Sequence, residues 1–410
     1  MKTILSSVGR LFVGCFAFAL ALTSAKADPL DNWTTNQLST NPPGIGGLQF
    51  EAVTYGNGQY VAVGEYNGDD NGFVQTSEDG VSWTMRSKHD YSILDLYDVT
   101  FGKNLFGTNM FVAVGWDFYS GVNLYNSTNG IDWSPHSSGL ANVFAVAYGD
   151  GSFVAVGADT LPNPGTVTSN VVVYSDDGVN WFSTDSRVPA TASPGLNDIA
   201  YGNGQFVAVS PGYIYPLFTQ ARITNSLAGG RISFCNGLFF IPAGPGTNLM
   251  SSNGLTWSAV TNNTATTFNR ITYGGGNYVA VSMTNVFSSQ DGTNWIQRNL
   301  QVSPFEHLVD LAPGNRNILL AGTGGPTAYL SDPFVSLRIV SSFPQYVGYM
   351  PPQLIVSGLT NRTYRIEMIT NLPSTNWQAL TNIMLTNGPA TWTDLKAYDS
   401  SRFYRAVLLP

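Results

Sequence analysis

A disulfide is the first thing this chain cannot rely on. It holds two cysteines in 410 residues, Cys15 and Cys235. Cys15 sits in an N-terminal apolar run, and Cys235 is the other's only possible partner. Charge is scarce too: Asp, Glu, Lys and Arg make up 11% of the residues, against about 25% in an average soluble domain. The balance is acidic, with a formal net charge of −8, which argues against nucleic acid or anionic lipid as partners. Three histidines, His89, His136 and His307, are too scattered for a zinc site. No Gly-x-Ser-x-Gly elbow and no Walker-type phosphate loop occur. No long helical pattern follows the first thirty residues. Apolar material is ample at 43%, so stability has to come from packing. Gly 43, Tyr 20 and Trp 9 lean toward strands and tight turns.

The one long hydrophobic run is at the N-terminus. Lys2 and Arg10 precede Leu11 to Leu22, and Ala25-Lys26-Ala27 has the small-x-small form of a cleavage site. Twelve residues of helix span about 18 Å, short of a bilayer core of about 30 Å. Residues 1–27 therefore read as a secretory signal peptide. The remainder is expected outside the cytoplasm, with no membrane insertion after cleavage. Loss of Lys2, Arg10 and Lys26 takes the formal charge from −8 to −11. Cys235 then stands alone in Ile-Ser-Phe-Cys-Asn-Gly-Leu-Phe-Phe, an apolar setting that favours a buried, inert thiol.

Internal repetition organises the rest. Tyr55-Gly-Asn-Gly-Gln-Tyr-Val-Ala-Val-Gly returns as Tyr201-Gly-Asn-Gly-Gln-Phe-Val-Ala-Val-Ser. Related segments start at Phe101, Tyr148, Phe234, Tyr273 and Pro313, on average about 43 residues apart. That is the period of a four-stranded propeller blade. Ser-x-(Asp/Asn)-Gly-x-x-Trp follows in five units, at Ser77–Trp83, Ser127–Trp133, Ser175–Trp181, Ser251–Trp257 and Ser289–Trp295. Its Asp-Gly or Asn-Gly pair supplies the positive φ of a tight turn. The unit is thus an inner strand, an unbroken apolar second strand, a third strand and a short outer one. The last unit has three strands and no Trp, while Asn32-Trp33-Thr34-Thr35 precedes the first. An N-terminal strand completing the last unit would remove the exposed edge. The expectation is all-β: a seven-bladed β-propeller over 28–334 closed by an N-terminal strand, plus a small C-terminal β-sandwich over 335–410.

The Ser-x-Asp-Gly-x-x-Trp segments resemble the Asp-box (BNR) repeats of sialidases, seven-bladed xyloglucanases, sortilin-type receptors and photosystem II assembly-factor propellers. The resemblance covers about residues 31 to 334. These boxes lack one residue of the usual Ser-x-Asp-x-Gly-x-x-Trp. The resemblance implies that they are structural and lie far from the channel. Residues 335–410, with Tyr364-Arg-Ile-Glu, Trp392, Asp394 and Arg402-Phe-Tyr-Arg, are similar to β-sandwich modules that end many secreted bacterial proteins.

One register position could carry chemistry. Three residues before each repeated aromatic stand Ala52, Asp98, Ala145, Asp198, Arg231, Arg270 and Asp310. The next residue is always aliphatic and the one after always small, so five charges sit in an otherwise uniform strand. One reading makes Asp98, Asp198, Arg231, Arg270 and Asp310 the ligand-binding set for a glycan or protein at the channel mouth. The other pairs Asp198 with Arg231 and Arg270 with Asp310 across neighbouring blades, because buried charges need partners. Glycoside hydrolysis is the alternative function, with Asp98 and Asp310 as its carboxyls. Arg231-Ile232 and Arg270-Ile271 are similar to the Arg-Ile of the sialidase Phe-Arg-Ile-Pro motif, without its Pro. A sialidase also needs three arginines and a Tyr–Glu pair, and only two arginines fall on the ring. No cofactor is expected. Asn67-Gly-Asp-Asp-Asn-Gly72 with Glu78 nearly matches a calcium loop, but the intervening strand holds Glu78 about 20 Å away, so no metal site is assigned.

Overall fold

The structure is a computed structural model that describes residues 30, 33–37, 48–66, 69–87, 95–116, 122–137, 142–160, 167–183, 195–219, 221–298, 300, 307–314, 317–323, 327–331, 336–340, 353–357, 362–369, 377–386, 390–395 and 403–408. The expected signal peptide, Cys15, His89 and the side chains of Asp69 and Asp70 lie outside the described residues. Among the described residues no helix is long and apolar enough to cross a membrane.

Six blades are each built from four consecutive antiparallel strands. Their inner strands are Leu48–Gly56, Leu96–Lys103, Asn142–Gly149, Asp198–Gly202, Ser233–Cys235 and Arg270–Gly274. A further four-stranded sheet is composite: His307–Pro313, Ile318–Thr323 and Thr327–Ser331 are completed by the N-terminal strand Trp33–Gln37. Trp33 pairs with Ser331 and Gln37 with Thr327. Six blades, rather than seven, are therefore self-contained. Each inner strand packs on the inner strand of the next sheet, and His307–Pro313 packs on both Arg270–Gly274 and Leu48–Gly56.

The repeated residues explain this geometry. Asn57 and Gly58 have φ of 49° and 80°, the positive pair that a two-residue hairpin twisted like its strands requires. In Tyr60-Val-Ala-Val63 all four side chains are buried, since the second strand has a neighbouring sheet on both faces. The Gly that follows every repeated aromatic except Phe234 leaves room for the next blade. A Cβ at Gly56 would overlap the Phe101 ring, and one at Gly102 the Tyr148 ring.

The Ser-x-(Asp/Asn)-Gly-x-x-Trp turns close on themselves. The Asp79 carboxylate accepts N–H bonds from Val81 and Ser82 at 2.8 and 2.7 Å, and Ser77 Oγ accepts from Gly80 at 2.8 Å. The Trp83 indole donates to the Gly80 carbonyl at 3.2 Å and fills the gap against Leu319 of the preceding sheet. An indole buried there removes roughly 200 Å² from water, worth at most about 5 kcal/mol.

Beyond residue 335 lie two three-stranded antiparallel sheets. One contains Ser336–Val340, Gln353–Ser357 and Ala390–Thr393; the other contains Gln378–Leu385, Arg362–Ile369 and Phe403–Leu408. Leu354, Val356, Tyr364, Ile366 and Leu385 share one buried cluster.

Candidate functional site

Three ring aspartates clasp neighbouring sheets. Each accepts the N–H of its own following residue with one oxygen and the N–H of the equivalent residue in the next sheet with the other. Asp98 takes Val99 at 2.8 Å and Val146 at 2.9 Å. Asp198 takes Ile199 and Ile232, both at 2.9 Å. Asp310 takes Val53 at 2.9 Å and also Leu311. Two oxygens committed to two backbone donors leave these carboxylates little freedom to move.

Arg270 supplies the counter-charge. Its Nη1 lies 2.5 Å from Asp198 Oδ2 and 2.9 Å from the Ile232 carbonyl, and its Nε lies 3.3 Å from Asp310 Oδ1. Burial works against its charge, but Asp198, Asp310 and Asp98 outweigh that and hold its pKa above the ordinary arginine value. Asp98 has no such contact. Burial pushes its carboxyl up to about 7; Arg270 opposes the rise and Asp198 adds to it. Burial also raises Asp310, against the pull of Arg270.

The expected pairing of Asp198 with Arg231 does not form: Arg270 takes Asp198 and Asp310 together. The cause is Pro242. It has no N–H to offer the ladder, so the inner strand of the fifth blade begins only at Ser233, and Arg231 and Ile232 precede it. Freed from the strand, Arg231 lies at the other side of the charged layer and makes no ion pair among the described residues.

The charged layer divides the channel. Toward the Gly-Asn-Gly turns, a cavity of about 350 Å³ runs from Asp98, Arg270 and Asp310 to the aromatic rings of Tyr55, Tyr148, Tyr201 and Phe234. Toward the starts of the inner strands, a second cavity of about 470 Å³ is lined by Glu51, Tyr97, Phe144, Asn197, Gly230 and Arg231. The Tyr97 and Phe144 rings lie 6.0 Å apart at 40°. Burial pushes the Glu51 carboxyl up to about 7; Glu65 adds to this and Arg231 opposes it.

Except for Arg231, these lining residues escaped the sequence reading. They stand one position before the ring, where a regular strand would turn them away from their neighbours. Four inner strands break register there: Glu51, Tyr97, Phe144 and Val309 fall at shifts of the ladder. A bulge leaves the extra residue unpaired and re-aims its side chain. The readable signal was variability, since Glu51, Tyr97, Phe144, Asn197, Gly230, Asn269 and Val309 stand just before the ring position and follow a large apolar residue in every unit but the fifth.

Other candidates do not gather chemistry. Burial pushes the Cys235 thiol up to about 12, beyond nucleophilic use at neutral pH. Among the described residues no three His, Cys, Asp or Glu side chains are placed to hold a metal ion. Between the three ring aspartates stands the Arg270 guanidinium.

No family model matches this chain, and no curated protein sequence matches it. Solved structures do. The extracellular domain of a proposed one component system from B. thetaiotaomicron is similar at a TM-score of 0.51 and 10% identity, over 89% of this chain and 54% of that one. The chain thus spans about half the length of that neighbour. A chain of the Mitotic Checkpoint Complex is similar at a TM-score of 0.50 and 10% identity, over 79% and 99%. The WD40 β-propeller domain of Doa1 gives 0.48 and 12%, over 73% and 96%. The chain is an all-β propeller. At such identities the likeness is one of fold alone.

Proposed function

We propose that this propeller is a secreted, non-catalytic binding or scaffold module that engages a glycan or protein ligand at the mouth where its inner strands begin. The observation that carries the reading is the cavity of about 470 Å³ with Arg231 unpaired among the described residues, beside the Tyr97–Phe144 ring pair. An aromatic wall beside a guanidinium, a carboxyl and an amide side chain suits a ligand with a hydrophobic face and polar edges. Of the five ring charges, Arg231 is assigned to the ligand; Asp98, Asp198, Arg270 and Asp310 are assigned to holding the sheets. Secretion is supported by the signal-like residues 1–27. We further infer that the composite sheet is the seventh blade of a closed ring, that the Ser-x-(Asp/Asn)-Gly-x-x-Trp turns are Asp boxes shortened by one residue, and that the C-terminal sheets form a sandwich module.

The test is a glycan and peptide array probed with the purified chain. A ligand enriched on the array should bind at least tenfold more weakly to Arg231→Ala and Tyr97→Ala. Equal binding by both variants would remove this mouth as the site.

Glycoside hydrolysis is the second reading, and one observation favours it: Glu51, at the same mouth, has a carboxyl raised to about 7, the range of a general acid. Turnover of a sialoside or xyloglucan substrate that disappears in Glu51→Gln would establish it over the binding reading.

A further inference from the structure

We propose that the junction between the third and fourth blades is a second binding site, built for an indole ring presented from outside the chain. Among the described residues, the apolar cluster at each of the other junctions contains a tryptophan. Trp83 packs with Leu319, Trp133 with Val61, and Trp181 with Val112. Trp257 packs with Val207, Trp295 with Phe240, and Trp33 with Val279. Five of these indoles donate to the carbonyl three residues earlier, Trp33 to Leu30 among them. The N-terminal strand therefore brings the composite sheet the tryptophan its own repeat lacks.

The junction between the third and fourth blades has none. The fourth blade carries Pro216-Leu217-Phe218-Thr219 where the Ser-x-(Asp/Asn)-Gly-x-x-Trp turn would stand. Its apolar cluster contains Val154, Phe206 and Leu217 with Tyr174 and Tyr201 at the margin, and no indole. A cavity of about 270 Å³ opens at this place, walled by Val154, Tyr174, Tyr201, Phe206, Leu217 and Phe218. Rim oxygens of Asp150 and Ser152 offer acceptors for a ring N–H.

Phe218 marks the lip. It is 66% exposed and held at φ 60°, a left-handed conformation that is uncommon for a bulky aromatic. Such strain persists only where the surroundings impose it. Here the Leu217 N–H bonds the Phe206 carbonyl at 2.8 Å, and the Gln205 amide bonds the Leu217 carbonyl at 2.7 Å. The backbone is thus fixed on both sides of a ring that stands 6.1 Å from Phe206, edge to face, at the cavity mouth. The chain's other junctions show what this architecture accepts, and the aromatic walls and polar rim fit the same group.

This inference is independent of the channel mouth and is tested separately. Two probes are titrated into the full chain: 5-fluoroindole, followed by fluorine NMR, and the peptide Ser-Glu-Asp-Gly-Val-Ser-Trp, a copy of Ser77–Trp83 supplied in trans. Saturable one-to-one binding of either probe, weakened at least tenfold in Thr219→Trp, is expected, because the new indole covers the cavity from its exposed edge. Phe218→Ala, a change at an exposed side chain, should weaken binding at least threefold without loss of fold. Tighter binding of the peptide identifies a polypeptide as the source of the ring; tighter binding of 5-fluoroindole identifies a free small molecule. Absence of saturation by both probes at millimolar concentration, or binding that both variants leave unchanged, overturns the proposal.

Discussion

Arg270 bonds Asp198 past an entire intervening blade. The guanidinium starts in the sixth blade, crosses the fifth at the Ile232 carbonyl, and ends 2.5 Å from the fully buried Asp198 in the fourth. It also leans on Asp310 in the composite sheet, so one side chain ties sheets from the fourth round to the last. Arg270→Met should cost about 3–5 kcal/mol, because it strands a buried carboxylate, and Asp198→Asn in the same chain should recover part of that loss. Arg231→Ala should leave stability within about 0.5 kcal/mol. Guanidinium unfolding of the four proteins checks this, and equal losses for Arg270→Met and Arg231→Ala would contradict the pairing.

The proposed closure of the ring predicts a second effect. Trp33 belongs to the cluster of Val279, Leu308 and Leu320 and bonds Leu30 at 2.8 Å. Trp33→Ala should cost about 3 kcal/mol. Deleting residues 28–37 should in addition leave Thr327–Ser331 as an open sheet edge and produce soluble oligomers, since unpaired edges recruit other chains. Thermal melting and light scattering would report the two changes; a monomeric deletion variant of unaltered melting temperature would refute closure.

The raised carboxyls make stability fall as pH rises. Glu51 lies at about 7 in the folded chain against an ordinary value of 4.5, and Asp98 also lies at about 7. Both are more proton-binding folded than unfolded, so their contribution is full below the ordinary values, 4.5 for Glu51 and 3.8 for Asp98, and is lost as pH rises through about 7. Asp79, Asp177 and Asp291 are shifted down and act in the opposite sense, but only at lower pH. Melting temperatures between pH 4.5 and 8 should decline, and less steeply in Glu51→Gln. An identical slope in that variant would show that Glu51 is not perturbed.

Glycine spacing can be tested by adding one methyl group. Gly102→Ala forces a Cβ into the Tyr148 ring of the next blade and should cost about 1–3 kcal/mol. Gly58→Ala meets nothing within 4 Å, so its cost should come only from its φ of 80°, about 1 kcal/mol. A double variant Gly102→Ala with Tyr148→Ala should lose less than the sum of the two single losses, read by urea denaturation.

Gln75 is completely buried, and among the described residues both polar atoms of its side chain lack a hydrogen-bond partner. Gln75→Met should raise stability by about 1 kcal/mol, because an apolar side chain of similar length has no unmet polar groups to desolvate. A lower denaturation midpoint would show that the amide is satisfied in solution.

Much of the architecture could be read from residues alone because it depends on local requirements repeated many times. Asn57-Gly58 and its copies demand a hairpin, Val-Ala-Val demands a strand covered on both faces, and Asp79 with Ser77 closes a turn within six residues. The orphan Trp33 pointed to the composite sheet for the same reason: a three-stranded unit needs an edge partner. The ring position was legible as well, by comparing equivalent places in the seven units.

What the ring does was not legible, since it depends on which side chains meet across the channel. Pro242 acts on Arg231 from a neighbouring strand, and Arg270 then reaches a carboxylate 72 positions away. The register shifts that present Glu51, Tyr97 and Phe144 leave only variability in the sequence, because a bulge adds one unpaired residue without a composition of its own. Periodicity thus determined strands, turns and the order of the sheets. Charge pairing, the two channel cavities and the gap beside Phe218 arose only when strands distant in sequence were brought round one axis, because Coulomb attraction and packing act through space.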